Sequence, residues 1–185
     1  MNPKQKALII LTPGFAASEA DSTCLPMQQQ LVKMISKIYP DIEIIILSFQ
    51  YPYCEKKYKW FDATVFSFNG QNKGGLSRLA LRKKVNAVLT RLSIEKQIIG
   101  LLSFWLNECA FVGKRFGLKN SIPHYCWMLG QDARKKNRYP QKMSIKENEL
   151  IALSDFLRDE FFHNHGIKPF VVIPPGIEVH GVNAA

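Results

Sequence analysis

Residues 149 to 178 read ELIALSDFLRDEFFHNHGIKPFVVIPPGIE, and the order of residue types in that stretch spells a strand, a helix and a second strand. Leu150 to Leu153 is a short apolar run. Ser154 offers a hydroxyl to cap a helix, and Asp155 puts negative charge at the positive end of the helix dipole. Gly166 is placed to stop that helix, because glycine takes the left-handed conformation found at many helix ends. Phe170 to Ile173 is a continuous apolar run, the pattern of a strand buried on both faces of a parallel sheet, and Pro174, Pro175 and Gly176 end it. The stretch predicts one βαβ unit.

The same alternation continues upstream. Ala7 to Thr12 is apolar and bounded by Pro13 and Gly14, which predicts a buried first strand. A helix follows from about Pro26, with Leu31, Met34, Ile35 and Ile38 at helical spacing until Pro40. Ile42 to Phe49 is a second strand, YPYCEKKYKWF an aromatic and basic segment, and Ala63 to Phe68 a third strand. After the glycine-rich loop Gly70 to Gly75, a helix over Leu76 to Leu92 is expected to turn Leu79, Val85, Val88, Leu89 and Leu92 to the core. Ile98 to Ser103 is a fourth strand, Asn107 to Phe116 a helix stopped by Gly117, Ile122 to Leu129 a fifth strand, and Gly130 opens a polar loop to about Lys146. Strands and helices alternating at these lengths specify an α/β fold, a doubly wound three-layer sandwich with a mostly parallel sheet and right-handed crossovers.

A chain of 185 residues suits one domain, read here as residues 1–178, with residues 179–185 as the start of an interdomain linker or tail. A hydrophobic content of 46% excludes a disordered chain, and the apolar runs are far shorter than the roughly 20 residues of a membrane span. The opening MNPKQKALIILTPGF lacks a small-residue cleavage site and reads as a first strand. Cys24, Cys54, Cys109 and Cys126 are scattered and form no CxxC pair, which points to a reduced, cytoplasmic setting and to no metal site. His163 and His165, two apart on a helix, point in different directions. The formal charge of +10 favours anionic partners without choosing among them.

In an open parallel sheet, ligands sit outside the carboxyl ends of the strands. The loop after the first strand, PGFAASEADSTC, holds Gly14 for a turn and Ser22 and Thr23 ahead of a helix, where they either cap the helix or leave its N–H groups to a phosphate. GQNKGG carries Lys73 and Gly74 on a flexible backbone just before a helix, which suits an anion or a sugar. It lacks the ending of a Walker A motif, and the chain has no GxGxxG fingerprint. No Ser-His-Asp set or metal cluster emerges.

The serine after a strand, the apolar and acidic helix, the glycine, the strand and IPPGIE together resemble the end of the N-terminal domain in family-4-like, GT-B-fold glycosyltransferases. The resemblance implies a Rossmann-like, acceptor-side domain. It implies transfer of a sugar from a nucleotide sugar to a glycan or lipid-linked acceptor, as in cell-surface polysaccharide biosynthesis, with no cofactor beyond the nucleotide sugar as donor substrate. Donor recognition would lie in a C-terminal GT-B domain, in cis or in trans, so the chain alone is expected to be inactive. LGQDARKKNR is similar to the family's His-Gly-x-Asp segment: Gly130, Gln131 and Asp132 fall at the sugar-facing positions, and Leu129 stands where a histidine is common. Asp132 is thereby implied to orient a sugar hydroxyl, its alternative being a turn cap or a partner of Arg134. Ser103 and Trp105 fall where the family has cleft residues. The glycine pair common at the first helix is replaced around Asp21, Ser22 and Thr23. Peripheral contact with an anionic membrane at its inner face is a further expectation, and specific nucleic-acid binding is not expected. The rival reading from another class is a small basic α/β module that binds nucleic acid or another anionic partner, with affinity that falls steeply with salt.

Overall fold

The computed structural model describes residues 3–176. The expected linker at residues 179–185 lies outside the described residues. In chain order the elements are β1 (Lys6–Gly14), α1 (Pro26–Ile38), β2 (Glu43–Tyr51), β3 (Glu55–Trp60), β4 (Ala63–Phe68), α2 (Gly75–Glu95), β5 (Gln97–Phe104), α3 (Glu108–Asn120), β6 (His124–Trp127), α4 (Tyr139–Met143), β7 (Leu150–Ala152), α5 (Asp155–His165) and β8 (Val171–Val172). One sheet runs in the order β3-β4-β2-β1-β5-β6-β7-β8. Every neighbouring pair is parallel except β3 and β4. Helices cover both faces, so the fold is the expected α/β, doubly wound, Rossmann-like sandwich.

Alternation along the central strands builds the two apolar layers. From β1 and β2, Ile9, Leu11, Ile45 and Leu47 face α2 and α3, where they meet Val85, Leu89, Val112 and Phe116. Ile10, Ile44 and Ile46 face the other way, onto Val32 of α1 and onto Trp60 and Phe15. Further along the sheet, Cys126, Met128, Leu150 and Ala152 pack on Leu157 and Phe161 of α5. Each such fully buried aliphatic side chain contributes roughly 1.5–3 kcal/mol of burial.

The opening βαβ unit forms as its residues dictate. The Ser154 hydroxyl accepts the Leu157 N–H at 3.2 Å, and Gly166 ends α5 at φ 70°. Ile151 and Ala152 pair with Val171 and Val172. The second strand of the unit is nevertheless not buried on both faces. It is the two-residue edge of the sheet, with Phe170 77% and Ile173 45% exposed. A continuous apolar run reads alike at a sheet's centre and its edge, and the number of neighbouring strands makes the difference.

Three other expectations change. The YPYCEKKYKWF segment holds an edge strand, β3, antiparallel to β4, hidden in the sequence because Lys56, Lys57 and Lys59 are the charged residues that protect sheet edges. In α2 the inward set is Leu81, Val85, Leu89 and Leu92, while Leu79 is 51% exposed. Gly117 does not stop α3. The helix runs through it to Ser121, which takes φ 55°. Gly117 is needed for contact instead, because a Cβ there would lie 2.6 Å from the Ile122 carbonyl oxygen entering β6.

Candidate functional site

β1 sits between β2 and β5, and the chain winds outward from it in both directions. The crevice outside the carboxyl ends of β1 and β5 is therefore the topological switch point, where open α/β sheets bind their ligands. A cavity of about 200 Å³ lies there, with Pro13 at the end of β1, Gln50 on β2, Asn72 and Lys73 before α2, Arg78 on α2, Asn107, Glu108 and Cys109 at the start of α3, and Tyr139 among its walls.

Hydrogen bonds fix the loop that carries Lys73. Gly70 N–H donates to the Phe49 carbonyl at 2.8 Å, Gln71 N–H to the Gln50 carbonyl at 3.2 Å, and Asn72 N–H to Gln50 Oε1 at 2.8 Å. A Cβ on Gly70 would lie 2.7 Å from the Phe49 carbonyl oxygen, so only glycine lets the loop cross β2 this closely. The loop expected to be flexible is thus pinned to the sheet. Gly74 is the N-cap of α2, no side chain caps that helix, and its first turn holds no acid. Lys73 stands beside these uncapped N–H groups, the arrangement that favours an anion.

Glu108 organises the opposite wall. It is 8% exposed and accepts from Arg82 Nε at 2.7 Å, with Arg78 Nε at 3.7 Å. Asn107 Oδ1 caps α3 by accepting the Cys109 N–H at 2.8 Å. Burial raises the Tyr139 hydroxyl pKa above its ordinary value, so it is a neutral donor there. Gln50, Asn107, Glu108 and Tyr139 went unnoticed in the sequence. Each lies far from Lys73 along the chain, and only the strand order brings them together.

The loop after β1 is organised around Asp21 rather than around phosphate-binding glycines. Its carboxylate accepts from Ala17 N–H at 3.0 Å, Cys24 N–H at 3.2 Å, Thr23 Oγ1 at 3.2 Å and the Tyr51 hydroxyl at 3.1 Å. These bonds, the Ala17 amide first, hold its pKa below the usual carboxylate value. Ser22 and Thr23 are exposed, and neither caps α1, whose N-cap is Leu25 at φ 56° without a side-chain bond. Gly14 is the last residue of β1, and a Cβ on it would make only ordinary contacts, so space alone does not require glycine there.

The remaining expected site residues are placed elsewhere. Ser103 is fully buried under α3, 2.9 Å from His124 Nε2, and does not face the cleft. Burial pushes the His124 pKa down to about 4. Trp105 leaves β5 in a left-handed conformation, φ 66°, with its ring packed on the α1 layer. Gly130 and Gln131 are exposed and start a single 3₁₀ turn. Asp132 is 4% exposed, and its Oδ2 accepts the Leu129 N–H at 2.9 Å. Desolvation raises its pKa to about 6. Asp132 therefore holds a buried turn, the alternative reading of that residue, and presents no carboxylate to a cleft. The expected pairing with Arg134 is absent among the described ion pairs.

A larger cavity of about 940 Å³ lies away from the switch point, between α2 and α3. Leu79, Ala80, Phe111 and Phe116 give it apolar walls, and Arg82, Lys83, Arg115 and Lys119 supply its charge, with no acidic residue among its lining. Among the described residues no helix is long and apolar enough to cross a membrane, and no group of three or more His, Cys, Asp or Glu side chains could hold a metal ion.

No protein-family model matches the sequence, and no curated protein matches it. Among solved structures, a UGT transferase from Siraitia grosvenorii in complex with UDP superposes with a TM-score of 0.54 at 11% identity, over 97% of this chain. The chain spans about half of that structure, 49% of its length. At this identity the likeness concerns the fold, and the fold of this chain is glycosyltransferase-like.

Proposed function

We propose that the chain is the acceptor-side, N-terminal domain of a family-4-like GT-B glycosyltransferase, which moves a sugar from a nucleotide sugar to a glycan or lipid-linked acceptor. The observation that carries the reading is the basic cavity at the switch point of a glycosyltransferase-like sheet, with Lys73 and Arg78 in its wall. Such cations stabilise negative charge on an acceptor or a departing diphosphate, and this kind of preorganised electrostatic help is commonly the largest factor in group transfer. No nucleophile and base stand within hydrogen-bond reach of each other in the cavity. A second, donor-binding domain completes the enzyme in this reading.

The test is a transfer assay with a panel of nucleotide sugars and acceptors. The 185-residue chain alone is expected to transfer nothing, and a polypeptide joining it to a donor-binding domain is expected to turn over. Turnover by the chain alone, or none by the joined polypeptide, removes the reading. The groove between α2 and α3 is the expected membrane contact, since Leu76 is 84% and Leu79 51% exposed beside its four cations. Co-sedimentation with anionic vesicles should exceed that with neutral vesicles. Tight, salt-sensitive binding to nucleic acid with indifference to vesicles would instead favour the small basic module.

A further inference from the structure

We infer that the switch-point cavity is a seat for one anionic sugar unit, a hexose bearing a phosphate or a carboxylate, gripped by Lys73 and Arg78. The inference rests on the glycosyltransferase reading and names the chemistry of its acceptor.

Size is the first argument. A cavity of about 200 Å³ has room for one pyranose ring with its substituents, and any further glycan unit would lie outside its open mouth.

The polarity of the walls is the second argument. Gln50 Oε1 accepts the Asn72 N–H, and Asn107 Oδ1 the Cys109 N–H, which fixes both amides and leaves their NH₂ groups free to donate. Lys73 has no carboxylate partner among the described ion pairs. Arg78 meets Glu108 only at 3.7 Å, because Arg82 holds that carboxylate at 2.7 Å. Arg78 and Arg82 thus share one carboxylate, and among the described ion pairs Lys73 is left without one. A cation without a carboxylate partner and a second one loosely paired, beside the uncapped N-terminus of α2, match an oxyanion better than they match a neutral sugar, while the Asn72, Glu108 and Tyr139 oxygens remain to take the O–H groups of the ring.

The scaffold is the third argument. The Gly70 crossing of β2 and the Asn72 bond to Gln50 hold Lys73 in place before any ligand arrives. A charged group held this way binds without the ordering cost of a free loop.

The experiment is an amide-shift titration of the 185-residue chain with glucose 1-phosphate, glucuronic acid, glucose and inorganic phosphate, at low and at physiological salt. One or both charged sugars are expected to bind about tenfold or more tighter than glucose, with shifts centred on Lys73, Gly74, Asn107 and Tyr139. Which charged sugar binds tighter identifies the source of the anion. Lys73→Gln and Arg78→Gln should each lower that affinity about tenfold, and Lys168→Gln, on a distant exposed residue, should leave it unchanged. Binding of glucose as tight as that of the charged sugars overturns the inference, as does inorganic phosphate binding as tightly as glucose 1-phosphate, an equal loss in Lys168→Gln, or no binding at all. Sugar transfer by the joined polypeptide to neutral acceptors only would sink this inference and leave the glycosyltransferase reading standing. Charged-sugar binding at these residues without any transfer would do the reverse.

Discussion

Glu149→Gln is expected to destabilise the domain by about 3 kcal/mol or more, because it strands a buried ammonium. Lys114 on α3 reaches across to Glu149, just before β7, and only 5% of its side chain is exposed against 18% for Glu149. The second carboxylate oxygen of Glu149 accepts the Lys146 N–H at 2.8 Å. The pair is therefore asymmetric. Lys114→Met leaves a carboxylate that keeps its backbone partner and some water, so its loss should be smaller, about 1–2 kcal/mol. The double variant Lys114→Met with Glu149→Gln should be more stable than Glu149→Gln alone, since it removes the stranded charge. Urea unfolding at constant m-value measures all three. A loss under about 1 kcal/mol in Glu149→Gln, or a double variant worse than both singles, would refute the argument.

Two buried groups give the domain opposing pH responses. Asp132 holds its proton more tightly folded than unfolded, since its pKa rises from 3.8 to about 6 through desolvation. Its contribution to stability therefore falls as pH rises through that window. His124 behaves oppositely. Its pKa drops from 6.5 to about 4, again through desolvation, so the unfolded state binds the proton better and stability is lost as pH falls through the window. At about 1.4 kcal/mol per pKa unit, each change is worth about 3 kcal/mol, and in the parent protein the two nearly cancel. Relative to the parent, Asp132→Asn should lose about 3 kcal/mol as pH falls from 7 to 4, and His124→Asn should gain about as much. At neutral pH the change in Asp132→Asn should be small. The lost charge relieves desolvation, and the Asn side-chain oxygen can keep the Leu129 N–H bond. Difference curves from unfolding at a series of pH values decide the matter, and flat curves for both variants would show that neither group is buried as described.

The elements that the sequence made legible are those whose cause is local. Ser154 caps α5 and Gly166 ends it because both signals act within one helical turn. Ile44 to Leu47 are buried at 0–1% exposure, as an unbroken aliphatic run in a central strand demands. Alternation of such runs with helices was enough to specify the layered α/β class. Expectations failed where the cause lies in a neighbour distant along the chain. Lys56, Lys57 and Lys59 read as part of an aromatic and basic segment until β4 supplies a partner for β3. The run at Val171 and Val172 reads as core until the sheet is seen to end there. Among the site residues, Lys73 and Gly74 stand at the switch point, because the glycine-rich loop before α2 is itself a local signal. Ser103 and Asp132 lie at the right chain positions, yet Gly113 of α3 closes over the first, and the turn at Leu129 folds the second inward. The chain by itself determined the class of fold, both ends of α5 and the central strands, because propensity, capping and hydrophobic period act over a few residues. Only the tertiary structure decided which strand is an edge, which polar side chains are buried and which donors meet Lys73, because burial and strand order are set by contacts between segments far apart in sequence.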